Sequence, residues 1–297
     1  MDPRPPPAAE GGIGHIVSAG DLRARSRAMS EFGVPRTTGL LEREGEQLYY
    51  EVCGEEPAPW LVLGHGAGGN HAVWYQQVAW FCRAFRVLTW DQRGFGRSTN
   101  RSGAASPSVA AADLAALLAH LWVERAHVVG QSMGGWAAMG LTLARPELVS
   151  SLVLADTLGG IPVPEWTERR SMPRQAQPVV GDHPALGPAF RAAHPDRALL
   201  YQQLGGWGLP NAERAGALTG LTTTTFSASQ TAGITCPVLF IVGSEDEIFP
   251  PDWIQRVAAS VPGARVEVVD GAGHSPYFET PERWNALVTA HLAGAMG

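Results

Sequence analysis

The chain of 297 residues contains no lysine, so all 22 of its basic side chains are arginines. Schiff-base mechanisms, pyridoxal-phosphate chemistry and a lysine general base each need a lysine amine, and so does the phosphate loop of P-loop nucleotide hydrolases. The absence of lysine therefore excludes all of these active sites.

Cysteine is also scarce in this sequence. Cys53, Cys82 and Cys236 are odd in number, and none of them belongs to a Cys-x-x-Cys pair. Disulfide frameworks and zinc sites are built from cysteines at characteristic spacings. We expect three free thiols in a reducing compartment, which favours a cytoplasmic protein.

The sequence has neither an excess of positive charge nor a long apolar run. Its 28 acidic side chains outnumber the 22 basic ones, which gives a net charge of −6. Nucleic-acid backbones repel such a chain. No apolar run reaches the ~20 residues that span a bilayer, and no secretory signal is visible. We therefore expect no nucleic-acid or membrane partner, and the pattern leaves monomer and homodimer open.

What the sequence does contain is an alternation of short apolar runs and helical patterns. The predicted strands are residues 39–44, 47–53, 60–63, 86–90, 126–129, 152–155, 237–242 and 265–269. The predicted helices are residues 73–85, 109–121, 133–145, 252–261 and 281–292, where apolar residues recur at helical spacing. This alternation predicts an α/β fold with a mostly parallel, doubly wound sheet.

The same pattern divides the chain into three parts. Residues 1–36 lack apolar periodicity and are interpreted as a flexible tail with one short helix near 21–32. Residues 37–156 and 236–297 form the predicted catalytic core. Residues 157–235 contain 8 Pro and 10 Gly, with only short helical patterns such as 196–204. We interpret this stretch as a cap inserted over one edge of the sheet.

The strongest local motif is Gly130-Gln131-Ser132-Met133-Gly134-Gly135, which follows a predicted strand and opens a predicted helix. A nucleophilic serine on a sharp strand–turn–helix elbow has this context. Glycines leave room for the turn, and the helix N-terminus directs N–H groups towards the serine oxygen. The motif predicts that Ser132 is a nucleophile.

Two further loops supply an acid and a base in the required order. Asp246 follows one predicted strand, and His274 follows the next. Serine, acid and histidine, each on a loop after a strand, form the catalytic triad of this type of fold. Glu245 and Glu247 flank Asp246 but fit the Gly-x-x-Asp spacing less well. Asp156 is the second candidate for the acid.

The motifs together resemble those of the α/β-hydrolase fold family, specifically its small, capped serine hydrolases. The matching segments are Gly64-His65-Gly66-Ala67-Gly68-Gly69, Asp91-Gln92-Arg93-Gly94-Phe95-Gly96-Arg97-Ser98, the Ser132 elbow, the Asp246 loop and Gly273-His274 with Glu279 and Pro281. The resemblance covers about residues 38–293. It implies that Ser132, His274 and Asp246 form a triad, that the N–H groups of Met133 and Ala67 form the oxyanion hole, and that the enzyme uses no cofactor.

The substrate pocket is less readable from the sequence. Gly66, Trp74, Trp166 and Trp207 are candidate pocket residues, although most tryptophans in such a chain fill the core. His65, Asp91 and Arg93 are expected to hold loops by hydrogen bonds. His183 and His194 are expected to be exposed, because they lack metal-ligand spacing. No metal site is predicted.

The resemblance leaves several functions open. The first is hydrolysis of a small, largely apolar ester, lactone or thioester through an acyl-enzyme. The alternative is hydrolysis of a carbon–carbon bond in a diketone-type substrate, or other non-ester chemistry on the same fold. A small-molecule receptor is a third hypothesis, because fold alone does not fix function. An acidic substrate could meet four of the cap's arginines, namely Arg169, Arg170, Arg174 and Arg191.

Overall fold

The structure is a computed structural model and describes residues 33–170, 180–207, 218 and 220–296. The predicted helix near 21–32 and most of the predicted tail lie outside the described residues. The first strand begins at Arg36, so the last residue of the predicted tail already belongs to the sheet.

The centre of the molecule is an eight-stranded sheet with the order β1-β2-β4-β3-β5-β6-β7-β8. The strands are β1 (Arg36–Arg43), β2 (Glu46–Cys53), β3 (Trp60–Gly64), β4 (Arg86–Trp90), β5 (Ala126–Gln131), β6 (Val149–Ala155), β7 (Val238–Gly243) and β8 (Arg265–Val269). Strands β1 and β2 pair antiparallel with their neighbours, whereas all pairs from β4 to β8 are parallel. The predicted mostly parallel sheet is confirmed.

Strands β1 and β2 form an antiparallel β-hairpin. Their turn contains Glu44 and Gly45, whose φ angles are 53° and 78°. A turn with two successive positive φ angles matches the twist of the flanking strands. Such turns therefore commonly connect the two strands of a hairpin with a two-residue loop.

Helices lie between the parallel strands. They are α1 (Tyr75–Phe81), α2 (Pro107–His120), α3 (Met133–Ala144), α4 (Pro164–Arg170), α5 (Pro188–Ala193), α6 (Pro195–Gly206), α7 (Ala228–Thr231), α8 (Pro251–Ala258), α9 (Pro276–Glu279) and α10 (Pro281–Met296). Two 3₁₀ turns, His71–Trp74 and Pro146–Leu148, complete the description. Within the described ranges, no helix combines the length and apolarity that a membrane span requires.

The predicted helix over 73–85 is wrong in its boundaries. A 3₁₀ turn begins first, capped by the Asn70 side chain, which accepts the Ala72 N–H at 2.9 Å. The α-helix follows and ends at Phe81. Apolar spacing does not distinguish a 3₁₀ turn from the first turn of an α-helix, so the sequence pattern merged the two.

The sheet separates two hydrophobic layers, because successive side chains of a strand point to opposite faces. On β3, Val62 packs in one layer, whereas Leu61 and Leu63 pack in the other. The layer on the Val62 side contains residues of α2, α3 and α8, and the other layer contains residues of α1 and α10. Both faces of the sheet are therefore covered, as a doubly wound fold requires.

Two histidines are buried in the interior, and neither has a carboxylate partner within the part of the chain that the structure describes. His127 on β5 lies 2.8 Å from Ser151 Oγ, and His291 on α10 lies 3.2 Å from an Arg265 nitrogen. Burial, followed by neighbouring positive groups, lowers the pKa of each histidine to about 4. Both are therefore neutral in the folded protein at neutral pH.

Because these two histidines stay neutral in the folded protein, we expect its free energy of unfolding to decrease as the pH falls from about 6.5 towards 4. In this pH range the histidines of the unfolded chain bind protons, whereas the buried histidines of the folded protein do not. The free energy of unfolding falls by about 1.4 kcal/mol for each unit of pKa difference. Urea unfolding of the protein and of His127→Gln at several pH values measures the effect. The slope of the free energy of unfolding against pH should be smaller in His127→Gln, and unchanged in the exposed control His120→Gln. Equal slopes in all three proteins would contradict the assignment.

Candidate active site

Ser132 lies at a sharp turn between β5 and α3. Its φ of 49° and ψ of −119° are strained for a residue with a side chain. The turn requires close backbone packing: a Cβ atom on Gly130 would lie 2.5 Å from Gly134 O, and one on Gly134 would lie 2.5 Å from Gly64 O. The sequence folds into this elbow because glycine stands at both contacts.

A continuous chain of hydrogen bonds joins three of the predicted site residues. His274 Nε2 lies 2.9 Å from Ser132 Oγ, and His274 Nδ1 lies 2.8 Å from Asp246 Oδ2. The other carboxylate oxygen of Asp246 accepts the N–H groups of Ile248 and Phe249 at 2.8 and 3.0 Å. Asp246 and His274 are both buried. The structure thus brings together Ser132, His274 and Asp246, which lie on loops after three parallel strands.

The loop after β3 packs directly against Ser132. A Cβ atom on Gly66 would lie 2.9 Å from the Ser132 Cβ, and the next residue, Ala67, lines the same cavity as Ser132 and Met133. Met133 is the first residue of α3, where N–H groups have no partner within the helix. The predicted oxyanion-hole residues, Ala67 and Met133, therefore both line the cavity at Ser132.

His65 holds this loop, as the sequence predicted. Its Nδ1 lies 2.8 Å from Gly66 O, and its Nε2 accepts the Gln92 N–H at 3.1 Å. Asp91 likewise accepts the N–H groups of His71 and Arg97 at 2.6 and 2.8 Å. The residues that follow β4 thus hold the loop after β3 in place by hydrogen bonds.

Gln131 is a site residue that the sequence interpretation missed. Its side-chain amide donates to His274 O at 3.0 Å, and its Oε1 would lie 2.1 Å from a Cβ on Gly66. Gln131 therefore connects the turn of Ser132 with the loop of His274 and with the loop after β3. Its place beside the serine in the motif was the one available signal.

A cavity of about 500 Å³ opens at Ser132. Its lining is mostly apolar and aromatic. The lining residues are Ala67, Gly68, Phe95, Gln131, Ser132, Met133, Trp136, Trp166, His183, Pro184, Ala185, Tyr201, Leu218, Leu221, Ile248, Phe249 and His274. Seven of them come from the segment between β6 and β7, which contains α4 to α7.

Only one of the three candidate pocket tryptophans lines this cavity. Trp166 does so, with its ring 4.8 Å from that of Phe249. Trp74 was wrongly assigned: it has no solvent exposure and packs 4.6 Å from the Tyr277 ring in the core. Trp207 was also wrongly assigned, because its side chain is 62% exposed at the end of α6.

His183 corrects a further prediction. It is half-buried rather than exposed, lines the cavity and packs 5.0 Å from the Tyr201 ring. The Tyr201 hydroxyl in turn lies 2.8 Å from Ser275 Oγ, next to His274. Sequence spacing could not reveal that His183, Tyr201 and Ser275 form one polar wall, since they belong to separate elements of the fold.

The proposed role of arginines in binding an acidic substrate finds no support at Arg191. This guanidinium donates to the backbone oxygens of His183 and Leu186 at 3.0 and 3.1 Å, and so fixes the segment that carries His183. Arg174 lies outside the described residues, as do the side chains of Arg169 and Arg170.

Asp156, the second candidate for the acid, is completely buried beside the triad. The Gly243 N–H donates to its Oδ1 at 3.0 Å. One oxygen each of Asp156 and Asp246 and a ring nitrogen of His274 lie within 4.8 Å of one another. Asp246 nevertheless holds the short contact to His274 Nδ1, so it fits the role of the acid better.

This geometry agrees with comparisons with known proteins. The alpha/beta hydrolase family model matches residues 61–287. The chain belongs to this family. It is therefore an enzyme of the α/β-hydrolase class, and the fold predicted from its motifs is confirmed.

Several known proteins are similar to this chain over nearly their whole length. The "Putative carbamate hydrolase RutD" of Stutzerimonas stutzeri is 28% identical over 84% of this chain and 98% of its own. A thermophilic esterase from Thermogutta terrifontis has a TM-score of 0.76 and 27% identity over 89% of this chain and all of its own. The enol-lactonase from Burkholderia xenovorans LB400 has a TM-score of 0.73 and 25% identity, over 86% and 99% of the two chains.

The histidine loop of this α/β hydrolase is anchored by one buried acid, Glu279. Its carboxylate accepts the N–H groups of Gly273 at 3.0 Å, Ser275 at 3.3 Å and Gly187 at 2.9 Å. Burial raises the pKa of Glu279, and these N–H donors act in the opposite direction. Because Gly187 lies between β6 and β7, the acid ties that segment to both neighbours of His274.

Glu279→Gln should destabilise the protein by about 1–3 kcal/mol, because an amide NH₂ would then face backbone N–H donors. Chemical unfolding and the melting temperature measure the loss. Glu282→Gln is the matched control, since Glu282 is exposed three residues further on. Equal stabilities of the two variants would refute the anchoring role of Glu279.

Proposed function

We propose that this α/β hydrolase cleaves small, largely apolar carboxylic esters, lactones or thioesters through an acyl-enzyme on Ser132. The observation that carries the proposal is the hydrogen-bond chain from Asp246 through His274 to Ser132, which ends at the wall of the apolar cavity. A serine in hydrogen-bond contact with a base that is itself held by an acid is the arrangement that activates a hydroxyl nucleophile.

In the proposed reaction, Ser132 Oγ attacks the carbonyl carbon while its proton moves to His274 Nε2. The carbonyl oxygen becomes an oxyanion, which the N–H groups of Met133 and Ala67 are placed to stabilise. The tetrahedral intermediate collapses, and the alcohol or thiol leaves with the proton from His274. Water then attacks the acyl group in the same way, with His274 as the base, and releases the acid and free Ser132.

Asp246 supports each proton transfer without losing its own charge. Its contact with His274 Nδ1 keeps a proton on that nitrogen, so that Nε2 can accept the serine proton, and its negative charge stabilises the imidazolium. The N–H bonds from Ile248 and Phe249 hold the carboxylate in place. No metal or cofactor takes part in this acyl transfer.

The substrate class follows from the cavity. Its volume of about 500 Å³ lies in the range typical of small-molecule sites, and its walls are apolar with a few polar groups. The names of two similar proteins, an esterase and an enol-lactonase, support ester and lactone substrates. We propose that the segment between β6 and β7 acts as a cap that selects among them.

Ser132→Ala and His274→Ala should each lower kcat/KM for p-nitrophenyl butyrate by at least ~10³-fold, because each removes one member of a unit that acts together. Steady-state kinetics on the full-length chain measure the loss. Ser108→Ala and His194→Ala, both at exposed positions, are the matched controls. Full activity of Ser132→Ala would refute the acyl-enzyme.

A panel of neutral substrates distinguishes the proposal from its alternatives. It should contain a p-nitrophenyl ester, a γ-lactone, a phenyl carbamate and a β-diketone, each assayed with the wild type and Ser132→Ala. We expect Ser132-dependent turnover of the ester or the lactone. Ser132-dependent turnover of the diketone alone would favour carbon–carbon hydrolysis. Binding of these compounds without turnover of any would favour a receptor.

A further inference from the structure

A second carboxyl group adjoins the triad and has no role in the reaction described above. We propose that Asp156 and Asp246 form a carboxyl pair that holds a single negative charge, with the shared proton on Asp156, and that either member can carry the charge for His274. In this pair Asp156 is a positioning residue. The proposal rests on the proposed function, since it takes His274 to be the general base.

The hydrogen bonds of Asp156 favour its protonated state. The side chain has no solvent exposure, and its Oδ1 accepts one N–H, that of Gly243. Its Oδ2 is buried and has no hydrogen-bond partner among the described residues. A buried carboxylate with an unpaired oxygen is far more unfavourable than the neutral acid.

The charges around Asp156 act in the same direction. Among the described residues, the titratable groups that lie close to it or interact with it electrostatically are Asp246 on the loop after β7, His274 on the loop after β8, Glu279 and Tyr277 on α9, and Tyr201 on α6. Two of these groups are acids, and no lysine or arginine is among them. Burial first, and then the charge of Asp246, raise the pKa of Asp156 well above its usual range.

Asp246 is the better place for the negative charge. It accepts three hydrogen bonds, from His274 Nδ1 and from the N–H groups of Ile248 and Phe249, against one for Asp156. Hydrogen bonds to the ionised form favour ionisation, and two carboxylates in one site do not ionise together. The proton therefore stays on Asp156.

Asp156 also lies close enough to His274 to carry the negative charge when Asp246 cannot. Oxygens of both acids and a ring nitrogen of His274 lie within 4.8 Å of one another. Asp156 is also held in place by strained backbone: its φ is 48°, and its N–H donates to Ile241 O at 2.8 Å. An ionised Asp156 would then supply negative charge close to the imidazolium.

Asp246→Asn tests this transfer of charge. In this variant Asp156 must ionise to support His274. The residual kcat/KM for p-nitrophenyl butyrate should therefore go on rising at pH values where kcat/KM of the wild type no longer rises. At about pH 9 it should exceed that of Asp246→Asn/Asp156→Asn by at least ~10-fold, a modest part of what a triad acid contributes. Equal residual activities and equal pH profiles of the single and double variants would overturn the proposal.

Infrared difference spectroscopy gives a second readout that does not depend on turnover. The full-length enzyme should show a protonated-carboxyl band at pH 7 that is lost in Asp156→Asn and kept in Glu279→Gln. Loss of the band in Glu279→Gln alone would place the proton on the wrong acid and overturn the proposal. Ser132→Ala should keep the band, because Ser132 is not part of the carboxyl pair. Hydrolytic activity in Ser132→Ala would refute the proposed function but would not contradict the carboxyl pair.

Discussion

The close approach of backbone at the turn between β5 and α3 is the constraint on which the rest of the site depends. Gly130 and Gly134 have no space for a Cβ atom, and Ser132 between them adopts a positive φ. Such strain persists only where surrounding structure over-determines it, here a fully buried strand and a mostly buried helix. The turn projects the serine hydroxyl beyond the edge of the sheet, within hydrogen-bond distance of His274.

The parallel strands then bring the remaining groups to the same edge. The loops that follow these strands carry the site residues: Ala67 after β3, Asp156 after β6, Asp246 after β7 and His274 after β8. Residues far apart in the sequence therefore lie close together at this edge. Buried acids secure these loops. Glu279 collects N–H groups on both sides of His274, and Asp246 collects those of its own loop. Local hydrogen bonds thus fix the angles of groups that the sheet has brought close.

Much of this arrangement could be predicted from the sequence, because it depends on local patterns. Short apolar runs that alternate with helical patterns predicted every strand, and the spacing of Ser132, Asp246 and His274 predicted which loops meet. The structure brings these three together, and the catalytic role of each stays a prediction.

The pocket could not be predicted as well. Trp74 and Trp207 were wrongly assigned to the pocket, and His183 was wrongly predicted to be exposed, because tertiary packing, and not local spacing, decides which side chains reach the cavity. The hydrogen bond of Gln131 to the His274 backbone joins residues 143 positions apart, so no local pattern contains it.

The most direct test of the account is the reaction of the protein with a fluorophosphonate probe, followed by mass spectrometry of the modified peptide. This reagent forms a covalent bond with an activated serine. The account predicts stoichiometric modification of Ser132, which disappears in His274→Ala while that variant remains folded. Folded wild-type protein that stays unmodified at Ser132, or modification that persists without His274, would contradict it.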